Sequence, residues 1–101
     1  MRKIINGKMY DTETAAFIGD YSQGAPRDFS YVSESLYRKK TGEFFLHGEG
    51  GPMSKYSMSC GNSSWSGGET IIPERDFNVR KWVATHCDAD TYIKLFGPVE
   101  E

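Results

Sequence analysis

From Phe29 to Arg38 the residues fall into two alternating sets: Phe29, Tyr31, Ser33, Ser35 and Tyr37 face one way, Ser30, Val32, Glu34, Leu36 and Arg38 the other. A period of two over such a stretch specifies an extended strand, here with aromatics heavier at its ends than in its middle. Lys39-Lys40-Thr41-Gly42 then supplies a turn, and Glu43-Phe44-Phe45-Leu46-His47-Gly48 a returning strand. An isolated hairpin is marginal in water, so this pair must be extended by further strands or covered by helices. That requirement governs how the rest of the chain is read.

Ile4-Ile5-Asn6-Gly7-Lys8-Met9-Tyr10 sets an Asn-Gly pair between short apolar pairs, predicting a small hairpin with positive φ at both turn residues. Asp11 or Thr12 can cap a short helix through Thr14-Ala15-Ala16-Phe17-Ile18, with Glu13 in its first turn and Gly19 as its stop. Tyr21 to Arg27, containing Gly24 and Pro26, reads as a loop. Glu69-Thr70-Ile71-Ile72 adds a strand ending at Pro73, because the residue before a proline prefers extended geometry. Val79, Trp82, Val83 and His86 share one helical face, so Asp76 to His86 is predicted to be an amphipathic helix lying on the sheet. Asp88 or Asp90 then caps a second helix carrying Tyr92, Leu95 and Phe96, stopped by Gly97-Pro98, with Val99 to Glu101 frayed. The expected fold is α+β, a small antiparallel sheet of about four strands with two or three short helices packed on one face. All of it fits one domain, residues 1–101.

Between Gly48 and Gly68 the chain holds six glycines and six serines. Ordering so free a backbone costs entropy, so the segment is expected to be held in shape by contact, either with a ligand or with the protein's own core. A chain of 101 residues supports one core but no deep pocket besides. Its 12 basic and 14 acidic residues leave a net charge of −2, so polyanion binding requires a local patch. No apolar run approaches the roughly 18 residues of a membrane span, and the first residues lack a signal-peptide core. The expectation is a cytoplasmic protein with no membrane partner and with Cys60 and Cys87 as free thiols. Asn62-Ser63-Ser64 then matches a glycosylation sequon by coincidence.

Four constellations carry possible chemistry. Gly48 to Ser57 resembles a phosphate cradle only loosely: Pro52 removes an amide donor, and Lys55 follows serine where a P-loop has glycine. His47, Cys60, His86 and Cys87 are ligand or nucleophile types, with Asn62 available to orient a Cys-His pair. They lack the short spacings of a zinc site, and His86 falls on the apolar helix face as a packed histidine would. The acidic set Glu69, Glu74, Asp76, Asp88, Asp90, Glu100 and Glu101 is interspersed with Arg75, Arg80, Lys81 and Lys94, which argues against mimicry of DNA charge. No catalytic residue, cofactor or metal is assigned. Arg38, Lys39 and Lys40 at the hairpin turn form the fourth, with Lys55 and Arg27 to add charge and Tyr37, Tyr56 and Trp65 to offer stacking surfaces. Cations among aromatics can hold single-stranded nucleic acid, and the same residues also keep a strand end soluble. Trp65 is either a lid on the core or an interface anchor.

Three blocks are distinctive together: Lys3 to Ala15, KIINGKMYDTETA; Phe44 to Tyr56, FFLHGEGGPMSKY; and Ser59 to Gly68, SCGNSSWSGG, followed by Ile71-Ile72-Pro73. They resemble a family of small cytoplasmic proteins carried on plasmids, conjugative elements and prophages of Gram-positive bacteria, which includes a type II-A anti-CRISPR inhibitor. The stretch Asp76 to His86 departs from the more acidic sequence of commoner members. The resemblance implies a non-enzymatic inhibitor whose partners are the type II RNA-guided effector nuclease, its guide RNA, or both. That nuclease depends on a guide seated in a basic channel, so a small protein can stop it at guide assembly, duplex entry or nuclease movement. The near-neutral charge, which argues against DNA mimicry, favours guide assembly. Arg38, Lys39, Lys40, Lys55, Tyr56 and Trp65 are the expected contact residues. The alternative is a nucleic-acid-binding accessory protein of the same mobile elements.

Overall fold

The computed structural model describes residues 1–61 and 64–100; Asn62 and Ser63 of the sequon, and Glu101, lie outside the described residues. Four strands form the central antiparallel sheet: β3 (Ala16–Gln23), β4 (Val32–Arg38), β5 (Phe44–Gly50) and β8 (Gly68–Glu74), in the order β3-β4-β5-β8. Two helices, α1 (Asp76–His86) and α2 (Ala89–Phe96), cover one face. The other face is partly covered by a separate hairpin of β1 (Arg2–Ile5) and β2 (Lys8–Asp11). A third small ribbon, β6 (Met58–Ser59) with β7 (Trp65–Ser66), projects from the β5–β8 connection.

The run Phe44-Phe45-Leu46 shows why the protein is three layers deep. Successive strand residues point to opposite faces, so a continuous apolar run requires cover on both. Phe44 and Leu46 join Leu36, Val79, Trp82 and Val83 beneath the helices. Phe45 turns the other way, to Tyr10 and Ile71 under the β1–β2 hairpin. There Tyr10 meets Phe45 edge-on at 5.5 Å, and Tyr37 stacks on the same ring at 5.3 Å.

The opening hairpin turns at Asn6 (φ 52°) and Gly7 (φ 77°), the left-handed pair that an Asn-Gly turn requires. The helix α1 has the predicted bounds, and α2 is capped by Asp88, whose carboxylate accepts from the Thr91 amide at 2.8 Å. Thr91, through its side chain and then its amide, holds the Asp88 carboxyl below the usual carboxylate range.

The helix expected at Thr14–Ile18 is absent, because Ala16 to Gln23 pairs with β4 along its whole length. Asp11 accepts from the Glu13 amide and makes a tight turn, the local alternative an Asp side chain offers to helix capping. Gly19 is no helix stop. It lies at the β3 bulge facing α1, where an added Cβ would sit 2.9 Å from Cys87 Sγ. Tyr21 to Gln23, expected in a loop, belong to this strand as well. The alternating strand begins at Val32, not Phe29, since Asp28 accepts from the Tyr31 amide and closes a turn first. At the other border β8 runs through Pro73 to Glu74, a position a proline tolerates because β8 is an edge strand.

Candidate functional site

The one buried charged side chain among the described residues is Glu34, at the centre of β4 and 2% exposed. It faces the helices, and three separate donors reach it. Trp82 Nε1 of α1 donates to Oε1 at 3.1 Å, and the Tyr56 hydroxyl donates to Oε2. Lys55 Nζ completes the set, 2.7 Å from Oε2. Burial alone would raise the Glu34 pKa, but the hydrogen bonds from Lys55, Tyr56 and Trp82 outweigh it and hold the group below the usual carboxylate range. Burial and then the Glu34 charge push the Tyr56 hydroxyl far above the ordinary tyrosine value.

The glycines upstream of Lys55 make this arrangement possible. Gly48 lies opposite Glu34 in the β4–β5 register, and the Tyr56 ring occupies the space a Cβ at Gly48 would need. Gly50 likewise leaves room for Ser54, and a Cβ at Gly51 would stand 2.5 Å from the Phe29 carbonyl. Ser54 fastens the loop, donating to the Gly51 carbonyl at 2.7 Å and accepting from the Tyr56 amide at 3.2 Å. The segment that resembled a phosphate cradle is therefore shaped by contact with the protein's own core. Two cavities flank the network, of about 320 and 390 Å³, and Glu34, Leu46, Lys55 and Glu74 line both.

The six expected contact residues separate into three places. Arg38, Lys39 and Lys40 stand at the turn between β4 and β5. Arg38 covers the Phe44 ring at 5.0 Å, and Lys39 covers Tyr10 at 4.3 Å while pairing with Glu43 at 3.5 Å. Lys40 is exposed. Lys55 and Tyr56 lie four strand residues away, at the level of Glu34, roughly 13 Å at the usual rise per residue. Tyr56 is buried at 6%, so its ring is a core element and no stacking surface. Trp65 sits on the β6–β7 ribbon beyond the opposite end of the sheet and is 59% exposed, which decides against a lid on the core. With Phe29, Met53 and Met58 it belongs to a series of exposed large apolar residues on the loops at that end.

The thiol and imidazole candidates also lie apart. His47, on the hairpin side of the sheet, bonds Glu69 at 3.0 Å. His86, on the helix side, stacks on Tyr21 at 3.9 Å and meets Trp82 edge-on at 5.1 Å. Cys60 is exposed on the loop, whereas burial, Asp88 and Asp20 raise the pKa of the half-buried Cys87. Among the described residues no three His, Cys, Asp or Glu side chains converge as metal ligands, and no helix is long and apolar enough to cross a membrane. Asn62, the candidate orienting residue, lies outside the described residues.

Sequence reasoning missed Glu34 and Trp82 as functional neighbours. The signal was present, since Glu34 shares the strand face of Val32 and Leu36, and a charge on an apolar face demands partners. No protein-family model, curated protein or solved structure matches the chain.

Proposed function

We propose that this chain is a non-catalytic inhibitor of the type II RNA-guided effector nuclease, acting in the host-cell cytoplasm while the guide RNA is being loaded. The reading rests on the resemblance of the Lys3–Ala15, Phe44–Tyr56 and Ser59–Gly68 blocks. One observation supports a binding role: the last block presents Trp65 at 59% exposure on one face of the ribbon, with Met58 at 57% on the other. Tryptophan and methionine held outward on a short ribbon are the residue types that anchor protein interfaces. The basic turn at Arg38 and Lys40 gives the same molecule a second, cationic contact on its far end.

The test is target cleavage by purified nuclease with this protein added before or after guide loading. Inhibition only in the first order is expected. Equal inhibition in both orders moves the action to DNA binding or cleavage, and no inhibition with several orthologues overturns the reading. The accessory-protein alternative is favoured by the basic turn and predicts RNA or DNA affinity without any nuclease. In that case Arg38→Ala with Lys40→Ala should lower the salt slope of binding by about one per residue.

A further inference from the structure

We infer that the Glu34 site is a receptor for an arginine side chain of a partner protein, and that Lys55 occupies it in the free protein as an internal stand-in. This does not depend on which partner the molecule has. An ionised carboxylate offers about four acceptor positions, two on each oxygen. Trp82 takes one on Oε1, while Tyr56 and Lys55 take two on Oε2. One position on Oε1 is left over. Lys55 is a point donor and fills a single position, whereas a planar guanidinium spans both oxygens at once. It would take the position Lys55 holds together with the one left over.

Two further features fit that occupant. Lys55 is the donor that solvent reaches, its side chain 63% exposed while Glu34 beneath it is 3% exposed, so it can leave for water provided that another cation takes its place on the buried acid. The 390 Å³ cavity beside it brings Glu74 to the same space as Glu34. Against these two carboxylates stand Lys55 itself and Lys3, which already donates to Thr70. With Lys55 withdrawn the cavity is acidic, and Leu46 and Ile72 give it an apolar floor for the arginine stem.

The experiment reads the Trp82 indole N–H by nitrogen-edited NMR, since that proton points at the contested carboxylate and Trp65, the other tryptophan, serves as an exposed control. Wild-type protein and Lys55→Met are titrated with N-acetyl-arginine N-methylamide, with its lysine analogue and with the uncharged citrulline analogue. In the wild type the arginine compound should shift the Trp82 signal, with a Kd on the order of millimolar for so small a ligand. The lysine compound should bind more weakly, and the citrulline compound should leave the signal in place. In Lys55→Met the arginine affinity should rise about tenfold, as expected if the stand-in holds the site nine-tenths of the time. Equal response to arginine and citrulline in the wild type overturns the proposal, whatever the variant does. A folded Lys55→Met with unchanged affinity removes Lys55 as the competitor and overturns it as well.

Discussion

The two halves of the glycine- and serine-rich segment have similar shares of glycine plus serine and contrasting fates. Residues 48–57 are pressed onto the sheet: Tyr56 lies over Gly48, Ser54 over Gly50, and Lys55 and Tyr56 hold the buried Glu34. In the second half, residues 58–67, Met58, Cys60 and Trp65 are exposed and nothing lies within 4 Å of a Cβ placed at Gly61; the chain returns to the sheet only at Gly67, where a Cβ would stand 2.6 Å from the Gly50 carbonyl. The difference lies in three side chains, not in the glycines. Where a serine, a lysine and a tyrosine have a strand carboxylate and backbone within reach, the glycines serve close approach. Without such an acceptor a similar composition makes a presented ribbon.

The sharpest way to break the contrast is Gly48→Ala, which should lift Tyr56 off β5 and make the first half behave like the second. Combining overpacking with a disrupted buried acid, it should cost about 3 kcal/mol in urea denaturation, with protease cleavage appearing between residues 51 and 57. Glu34→Gln comes next, at about 2 kcal/mol, because one of the two acceptor oxygens becomes an NH2 donor facing the Trp82 or Tyr56 donor, while the exposed Lys55 loses its counter-ion without a buried charge being left. The pH dependence sharpens this point. The folded Glu34 pKa is depressed, so its contribution is present above the unfolded carboxylate value of about 4.3 and is lost as pH falls through the folded value. The folded Tyr56 pKa is raised, so its contribution is present below the unfolded tyrosine value of about 10 and is lost on further alkalinisation. Wild type minus Glu34→Gln stability should therefore be flat between those limits and shrink in acid; a flat difference down to pH 2 would remove Glu34 from the acid transition.

In the second half the effects should be small. Gly61 has φ 110°, so Gly61→Ala should cost about 1 kcal/mol from backbone strain alone, with no packing loss. Trp65→Ala should change stability by less than about 0.5 kcal/mol, read as an unchanged urea midpoint. If it instead destabilises by as much as Gly48→Ala, the ribbon is part of the core and the contrast fails.

What could be read from the chain follows the same division. Patterns carried by neighbouring residues were legible: the Asn6-Gly7 turn, the β4–β5 hairpin, the face of α1 and the Asp88 cap. The misreadings fall where a distant partner overrode a local signal. Asp11, Glu13 and Gly19 have the chemistry of a capped helix, yet pairing with β4 made the stretch a strand. At the candidate site Lys55 and Trp65 are both exposed, the sequence leaving Trp65 open between core lid and interface anchor. The six residues do not form one patch, because the turn of β4–β5 and the ribbon lie beyond opposite ends of the sheet and Lys55 sits between them at Glu34. Tyr56 was placed on the surface since nothing in its own neighbourhood reveals a carboxylate 22 residues earlier.

The strand order carries a consequence for the route to the native state. β3, β4 and β5 are consecutive and join through short connections, whereas β8 docks on β5 only after the chain between Gly50 and Gly68 has closed on itself. Closing a free loop is entropically costly, but the cost grows slowly with length and falls when part of the loop is already anchored. If Ser54 and Tyr56 seat on β4 and β5 before β8 docks, the span still to be closed, from Tyr56 to Gly68 in place of Gly50 to Gly68, shortens by about a third. Stopped-flow refolding should accordingly be slowed by changes at Gly48 or Ser54, whereas inserting several glycines after Gly61 should barely alter the rate.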